Sequence, residues 1–435
     1  MKTSRILYWL AAVAAMSLLS CSKPEGSDAS DSWEDMFEQP EVQTRWQNIP
    51  HIYIDIDGQE IKDKKNYVKG TITVKDPERL YSDVEEFTAE MGIRGRGNST
   101  WEWPKKPYKI KLDSKASILG FPADKEWCIL ANYSDRSLLR NLTAMKLSEL
   151  CGFSWTPRMC SVEVTIDGKY QGVYNFCEHK KISADRVNIE VAGENDNEGD
   201  ALTGGYYFEI DARAEDTDPH WHTTMDVPML FSDPEEPTEQ QFEYAREYFA
   251  AFEAALKARD FSEQTGYRKY IDMKSFIDYY IVQELTKNVD GCLNLSTFLT
   301  KERGKKLEMY HLWDFDLTLG NCGYFNDAYG NGPENFYIRY SAWYRYMFED
   351  PQFIKELKTR WNSLYPDLKT MTQYIEQQAF YLEQAQVRNF QTWNIRLSVD
   401  WVNMPSKGSY EAELKYLMDF YTARLNWLHT ELNKL

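Results

Sequence analysis

Two short acidic stretches carry the strongest chemical signal in this chain. Asp290 and Asn294 fall in the loop Val289-Asp290-Gly291-Cys292-Leu293-Asn294, directly after a helical stretch that starts at Asp272 and ends at Lys287-Asn288. Asp314 and Asp316 stand in Trp313-Asp314-Phe315-Asp316, after the apolar run Leu307 to Leu312. Carboxylate and amide oxygens suit a hard cation such as Mg²⁺, which takes one or two carboxylates and fills its other positions with water or substrate phosphate. A free Asp beside such an ion can accept a hydroxyl proton. Capping and turn formation account for Asp290, but poorly for two aspartates together behind an apolar strand.

A second group has the chemistry to neutralise phosphate. Arg94, Arg96, Gly97 and Asn98 belong to Arg94-Gly95-Arg96-Gly97-Asn98-Ser99-Thr100-Trp101, between two strands. Glycines there let backbone N–H groups approach phosphate oxygens, and arginines add bidentate donors. A bulged hairpin explains the same glycines. The following strand offers Lys105, Lys106, Lys109 and Lys111, of which Lys111 and Lys105 also read as solvated strand-face residues. Glu149 lies on the helical stripe of Leu138, Leu142 and Met145, so it is expected to face inward and need a cation, an unpaired buried charge being costly. Its position just before Cys151-Gly152 alternatively lets it reach water. His220-Trp221-His222 reads as an incidental loop pair, and the six histidines show no Ser/His/Asp or Cys/His order.

These residues need elements to hold them. Alternating patterns predict strands at 52–56, 67–74, 87–94, 106–112, 126–131, 162–166 and 170–176, the last two joined by Asp167-Gly168. Ser134-Asp135 are expected to cap one helix among them. Residues 190–205 are polar and glycine-rich, a natural junction. After a further strand at 204–211 the helical period takes over, with helices at 239–259 and from 272, and a helical region 340–435. The fold class is α+β: a β-rich lobe over 45–190 and a mainly helical lobe over 191–435.

Composition sets the boundaries. With 43% hydrophobic and 27% charged residues the chain can bury a core. A net charge of −18 argues against nucleic acid as a partner, since a polyanion is repelled. No stretch past the first twenty residues is long and apolar enough to span a bilayer, which excludes a multi-pass membrane protein. Met1 to Arg5 is cationic, Ile6 to Leu19 is apolar, and Ser20-Cys21 follows, so 1–20 reads as a lipoprotein signal peptide with Cys21 lipidated. An acidic tether over 21–44 comes next. The expected location is the bacterial cell envelope, with the membrane engaged through Cys21 and the protein a monomer. The other six cysteines show no CxxC spacing; Cys151 with Cys160 is a conceivable disulfide, and most are expected to be buried thiols.

Taken in order, RGRGNSTW (94–101), KKPYKIKL (105–112), ANYSDRSLLRN (131–141), VEVTIDGKYQGVYNFCEHKKI (162–182), GGYYFEID (204–211), QELTKNVD (283–290) and WDFDLTLGN (313–321) resemble the spore-coat protein H (CotH) kinase-like family. The resemblance implies an atypical protein-kinase-like two-lobed fold and an ATP- and Mg²⁺-dependent phosphotransferase acting on Ser or Thr of a secreted or surface protein. It implies Asp290 as the catalytic-loop aspartate, Asn294 as a metal partner and Asp314 as the metal-binding aspartate, with Asp316 a further ligand. Lys106 and Lys109 compete for the phosphate lysine, and Glu178 and His179 fall where the chain would pass beside adenine. A full G-x-G-x-x-G loop and a His-Arg-Asp triplet are missing. An exported location, where ATP is scarce, leaves an inactive kinase-like surface scaffold or adhesin, binding proteins or glycans, as the alternative. Asp314 to Thr318 also fits the D-x-D-x-T pattern of haloacid-dehalogenase-type phosphatases, which requires a doubly wound sheet.

Overall fold

Inward-facing alternation along seven strands is resolved by closing them on themselves. The computed structural model describes residues 48–323, 330–396 and 404–435; the expected signal peptide (1–20), Cys21 and the acidic tether (21–44) lie outside the described residues. Strands β1 (His51–Asp55), β2 (Val68–Lys75), β3 (Glu86–Gly95), β4 (Tyr108–Ala116), β5 (Asp124–Leu130), β6 (Met159–Ile166) and β7 (Lys169–Glu178) form a closed barrel in the order β1-β2-β3-β4-β5-β7-β6. All neighbours are antiparallel except the closing seam, where β1 runs parallel to β6 with Ile52 opposite Val164. Ile52, Ile72, Ile93, Ile110, Trp127, Val164 and Phe176 belong to the buried filling. The β6–β7 turn has Asp167 and Gly168 both at positive φ (46° and 73°), the conformation that makes Asp-Gly a two-residue hairpin.

The remainder of Arg45–Leu435, which packs as one unit, is built around a second sheet. Strands β8 (Tyr206–Ile210), β9 (His220–His222), β10 (Pro228–Asp233), β11 (Thr297–Lys301) and β12 (Leu307–His311) line up as β12-β11-β8-β10-β9, every pair antiparallel. The helices of ten residues or more among the described residues are α1 (Arg140–Cys151), α2 (Glu239–Lys257), α3 (Met273–Thr286), α4 (Pro351–Leu368), α5 (Met371–Tyr381), α6 (Glu383–Thr392) and α7 (Tyr410–Lys434). No described helix is long and apolar enough to cross a membrane.

The chain is thus mixed α+β, β-rich at the front and helical toward the end, with two departures from expectation. The front is a closed barrel, and the back carries a sheet of its own. His220-Trp221-His222 is a strand and not a loop: Trp221 is buried against the sheet's aromatic core, while the His222 ring sits 2.7 Å from the Asp226 carboxylate. The sheet preceding Asp314 is wholly antiparallel, so the doubly wound frame that the D-x-D-x-T reading requires is not there. Cys151 and Cys160 are not bridged; both are buried free thiols, as are Cys128 and Cys177.

Helix α6 fastens the carboxy-terminal helices to the barrel. The Asn389 Oδ1 atom accepts from the Val173 amide and from Lys105 Nζ, each at 2.9 Å. Arg388 forks onto Glu163 with two bonds of 2.7 Å. Lys105 is therefore not a solvated strand-face lysine: it is buried, lies 4.5 Å from the Tyr174 ring centre, and desolvation holds its amine well below the usual range. Replacing Asn389 with Ala leaves a buried amide unpaired and Lys105 short of an acceptor. The expected loss is about 2–3 kcal/mol, read as a lower urea midpoint at unchanged m-value.

Candidate functional site

A cleft of about 430 Å³ opens between the β3–β4 end of the barrel and the second sheet. Its size is that of a small-molecule site. Basic groups come from the barrel wall and acids from the sheet side.

On the basic wall, Gly97 has φ 83°, and a Cβ there would stand 2.1 Å from Thr100 Oγ1, so the loop closes only with glycine. The turn directs Arg96 into the cleft, its guanidinium 5.6 Å from the Trp313 ring centre and without a hydrogen bond or ion pair among the described residues. Arg94 also lines the cleft, donates to the Lys64 carbonyl and lies 5.2 Å from the Tyr67 ring centre. Lys109, on β4, has its Nζ 2.8 Å from His179 Nε2 and 3.3 Å from Glu126 Oε1. Burial pushes the His179 imidazole below its ordinary pKa. Arg96→Ala is expected to weaken binding of a phosphate-bearing ligand by roughly 10- to 100-fold, the worth of hydrogen bonds to a charged group, with little effect on folding. Titration calorimetry reads this directly.

The acidic loop is held by the segment before and inside α1. Asn141 Oδ1 accepts from the Phe315 amide at 2.8 Å, and the Ser134 hydroxyl donates to Asp316. Asn321 Nδ2 donates to the Ser134 and Asp316 carbonyls at 2.8 and 2.7 Å. Arg140, paired with Asp135 at 2.5 Å, donates to the Thr318 and Leu319 carbonyls. This bracing holds Asp314 at φ 67°, a left-handed conformation that aspartate tolerates better than most residues.

The acids crowd one another. Burial, then the neighbouring Asp314 charge, pushes the Asp316 carboxyl well above the usual range. Asp290 is raised to about 6, first by burial, then by Asp314 and Asp211, with Arg213 pulling the other way. Glu209, at the end of β8, is also raised by burial although Lys180 Nζ is 2.6 Å away. Like-charged carboxylates that resist ionising beside one another are a donor set that a divalent cation would relieve. Among the described residues, however, no three His, Cys, Asp or Glu side chains are arranged to hold a metal by themselves.

Of the residues singled out from sequence, the cleft gathers Arg94, Arg96, Gly97, Asn98, Lys109, Asp314 and Asp316. Asp290 lies within electrostatic reach of both Asp314 and Asp316. Four others are elsewhere. Glu149 does not face inward: its carboxylate is exposed and paired 2.7 Å from Lys146, because the end of α1 emerges into solvent. Lys106 precedes β4 and turns onto Trp101, donating to its carbonyl. Glu178 is fully buried, 3.0 Å from Arg158 and hydrogen-bonded to the Trp155 indole, so it buttresses the chain beside His179 and does not line the cleft. The Asn294 side chain is exposed and outside the cleft lining; its carbonyl accepts from the Ala212 amide. Sequence reasoning assigned no site role to Glu209, Asp211, Arg213 or Asn141, and gave Ser134 only a helix-capping one. All five line the cleft. The first two lie in GGYYFEID and the last two in ANYSDRSLLRN, where alternation and turn chemistry concealed them.

A basic wall facing braced carboxylates is the layout of a phosphate-handling site. The family model described as CotH kinase protein matches residues 93–428, most of the chain, and the protein belongs to that family. Membership points to a kinase-like phosphotransferase with use of ATP and a divalent metal. No curated protein matches the chain.

Proposed function

We propose that the protein is a CotH-like phosphotransferase that moves the ATP γ-phosphate to Ser or Thr of a secreted or surface protein, with Mg²⁺ bound. The juxtaposition of Asp314 and Asp316 with Arg96 and Lys109 in one cleft, with Asp290 within electrostatic reach of both aspartates, carries this reading. Arg94, Arg96 and Lys109 neutralise the phosphates. Asp314 and Asp316 would hold the cation, which supplies charge neutralisation at the transferring phosphoryl group, with phosphate oxygens and water completing its shell. Asp290 accepts the acceptor hydroxyl's proton. A kinase-like two-lobed arrangement, barrel as nucleotide lobe and helical part as acceptor lobe, belongs to the same proposal. So does a lipid anchor at Cys21 that holds the enzyme on the cell envelope.

The test is incubation with γ-labelled ATP and Mg²⁺, scoring label on the protein and on envelope proteins. An active enzyme also gains about 2.7 kcal/mol of stability at ATP a hundred-fold above its dissociation constant. Mg²⁺-independent stability and no transferred label would leave a scaffold.

A pH prediction follows from Asp290. A base must be ionised, and this carboxyl is raised to about 6, so transfer should fall about tenfold per pH unit below that value. Asp211 raises and Arg213 lowers the Asp290 carboxyl. Asp211→Asn should therefore move the acidic limb to lower pH, and Arg213→Ala to higher pH. Limbs that stay in place assign the titration to another group.

A further inference from the structure

We propose that Cys128 and Cys177 form a reversible cross-strand disulfide, closed by a hydroperoxide, in the wall behind the cleft. The inference stands apart from the phosphotransfer reading. Cys128 on β5 lies directly opposite Cys177 on β7. Residues so paired have Cα atoms about 4.5–5.5 Å apart, inside the range of about 4.4–6.8 Å that a disulfide spans. Strand alternation puts both thiols on the outer face of the barrel, under Trp155, Tyr207, Phe298 and Trp313. Cys160 is near in register on β6, opposite Phe176, but its side chain points into the barrel filling, on the other face of the sheet. The register therefore selects one pair.

The polar outlet from this apolar cover is His179. Its Nδ1 is 3.5 Å from Cys128 Sγ, and its Nε2 is 2.8 Å from Lys109 Nζ in the cleft. The two thiols differ in the way a nucleophile and a resolving thiol must. Hydrogen bonding from Cys177, then the charge of Arg96 and the hydrogen bond from His179, holds the Cys128 thiol well below its ordinary pKa against burial. Burial holds Cys177 well above it. A thiolate is the reactive form.

The chemistry balances in two steps. The Cys128 thiolate attacks one peroxide oxygen; an S–O bond forms, the O–O bond breaks, and the leaving oxygen takes a proton, giving a sulfenic acid. Cys177 sulfur then attacks that sulfur; the S–S bond forms, S–O breaks, and water leaves with the Cys177 proton. Two thiols are oxidised by two electrons and one hydroperoxide is reduced. Closure takes the Cys128 sulfur from His179, so the state of the pair is felt at Lys109.

The experiment treats the full chain with hydrogen peroxide, unfolds it in N-ethylmaleimide and maps its peptides by mass spectrometry. The expected result is a loss of two alkylatable thiols, recovered as one Cys128–Cys177 linked peptide and reversed by dithiothreitol. In Cys177→Ser, dimedone should label Cys128. Complete alkylation of both after peroxide, or linkage of either to another cysteine, overturns the proposal. If Cys177→Ser does not fold, the map of the unsubstituted chain decides alone.

Discussion

Asp314→Ala is expected to remove the Mg²⁺-dependent stabilisation by ATP, about 2.7 kcal/mol at a hundred-fold excess over the dissociation constant, together with all transfer of label. Asp290→Asn should behave differently. It should keep the ATP–Mg²⁺ stabilisation and lose transfer by roughly 10²- to 10⁴-fold, the worth of a positioned general base. The contrast follows from placement. Asp314 is exposed in the loop facing the basic wall, where phosphate oxygens and a cation would meet it. Asp290 is half-buried at the exit of α3, within electrostatic reach of Asp314 but outside the cleft lining, so its loss should touch the nucleotide less. Asparagine keeps the shape of Asp290 and removes a charge that is already reluctant to form, so the nucleotide should lose little. Full transfer in Asp290→Asn would sink the base assignment and leave the cation site standing. Full Mg²⁺ dependence in Asp314→Ala would sink the cation site.

What the sequence disclosed and what it hid divide along physical lines. Local periodicity placed nearly every barrel strand within a few residues, because inward and outward side chains alternate wherever one face is buried. The Asp167-Gly168 turn was equally readable, since few residue pairs accept positive φ twice. Closure was not readable. It depends on β1 meeting β6, more than a hundred positions later, and no local pattern encodes that partner. β9 has three residues and was too short to show a period. Within the site, two aspartates after an apolar strand stood out, whereas Glu149 misled. Helix α1 is buried on nearly all sides through Ser148, so a stripe of apolar residues there does not say which neighbour faces inward. Lys109 and Lys111 share one face of β4, yet only Lys109 is covered; position along the strand, which alternation cannot report, separates them.

The structure also predicts where the site is most fragile. Asp135 and Arg140 form an ion pair with side chains 0% and 1% exposed, and Arg140 donates further to the Ser137 hydroxyl and to the Thr318 and Leu319 carbonyls behind Asp316. Asp135 accepts in addition from the Ser137 and Arg140 amides, so it shapes the entry to α1. Removing one member strands a buried charge, which costs about 3–5 kcal/mol. Arg140→Ala and Asp135→Ala should each lower the unfolding free energy by that amount in urea. The double variant should lose clearly less than the sum, because the second substitution removes the charge that the first left unpaired. Arg140→Lys keeps the charge but not the planar fork that reaches two carbonyls at once. It should fold, yet bind ATP–Mg²⁺ more weakly, since the loop carrying Asp314 and Asp316 loses a brace. Additive single losses would show that the two residues act separately. An Arg140→Lys protein with unchanged nucleotide affinity would show that Asn141, Ser134 and Asn321 hold the loop unaided.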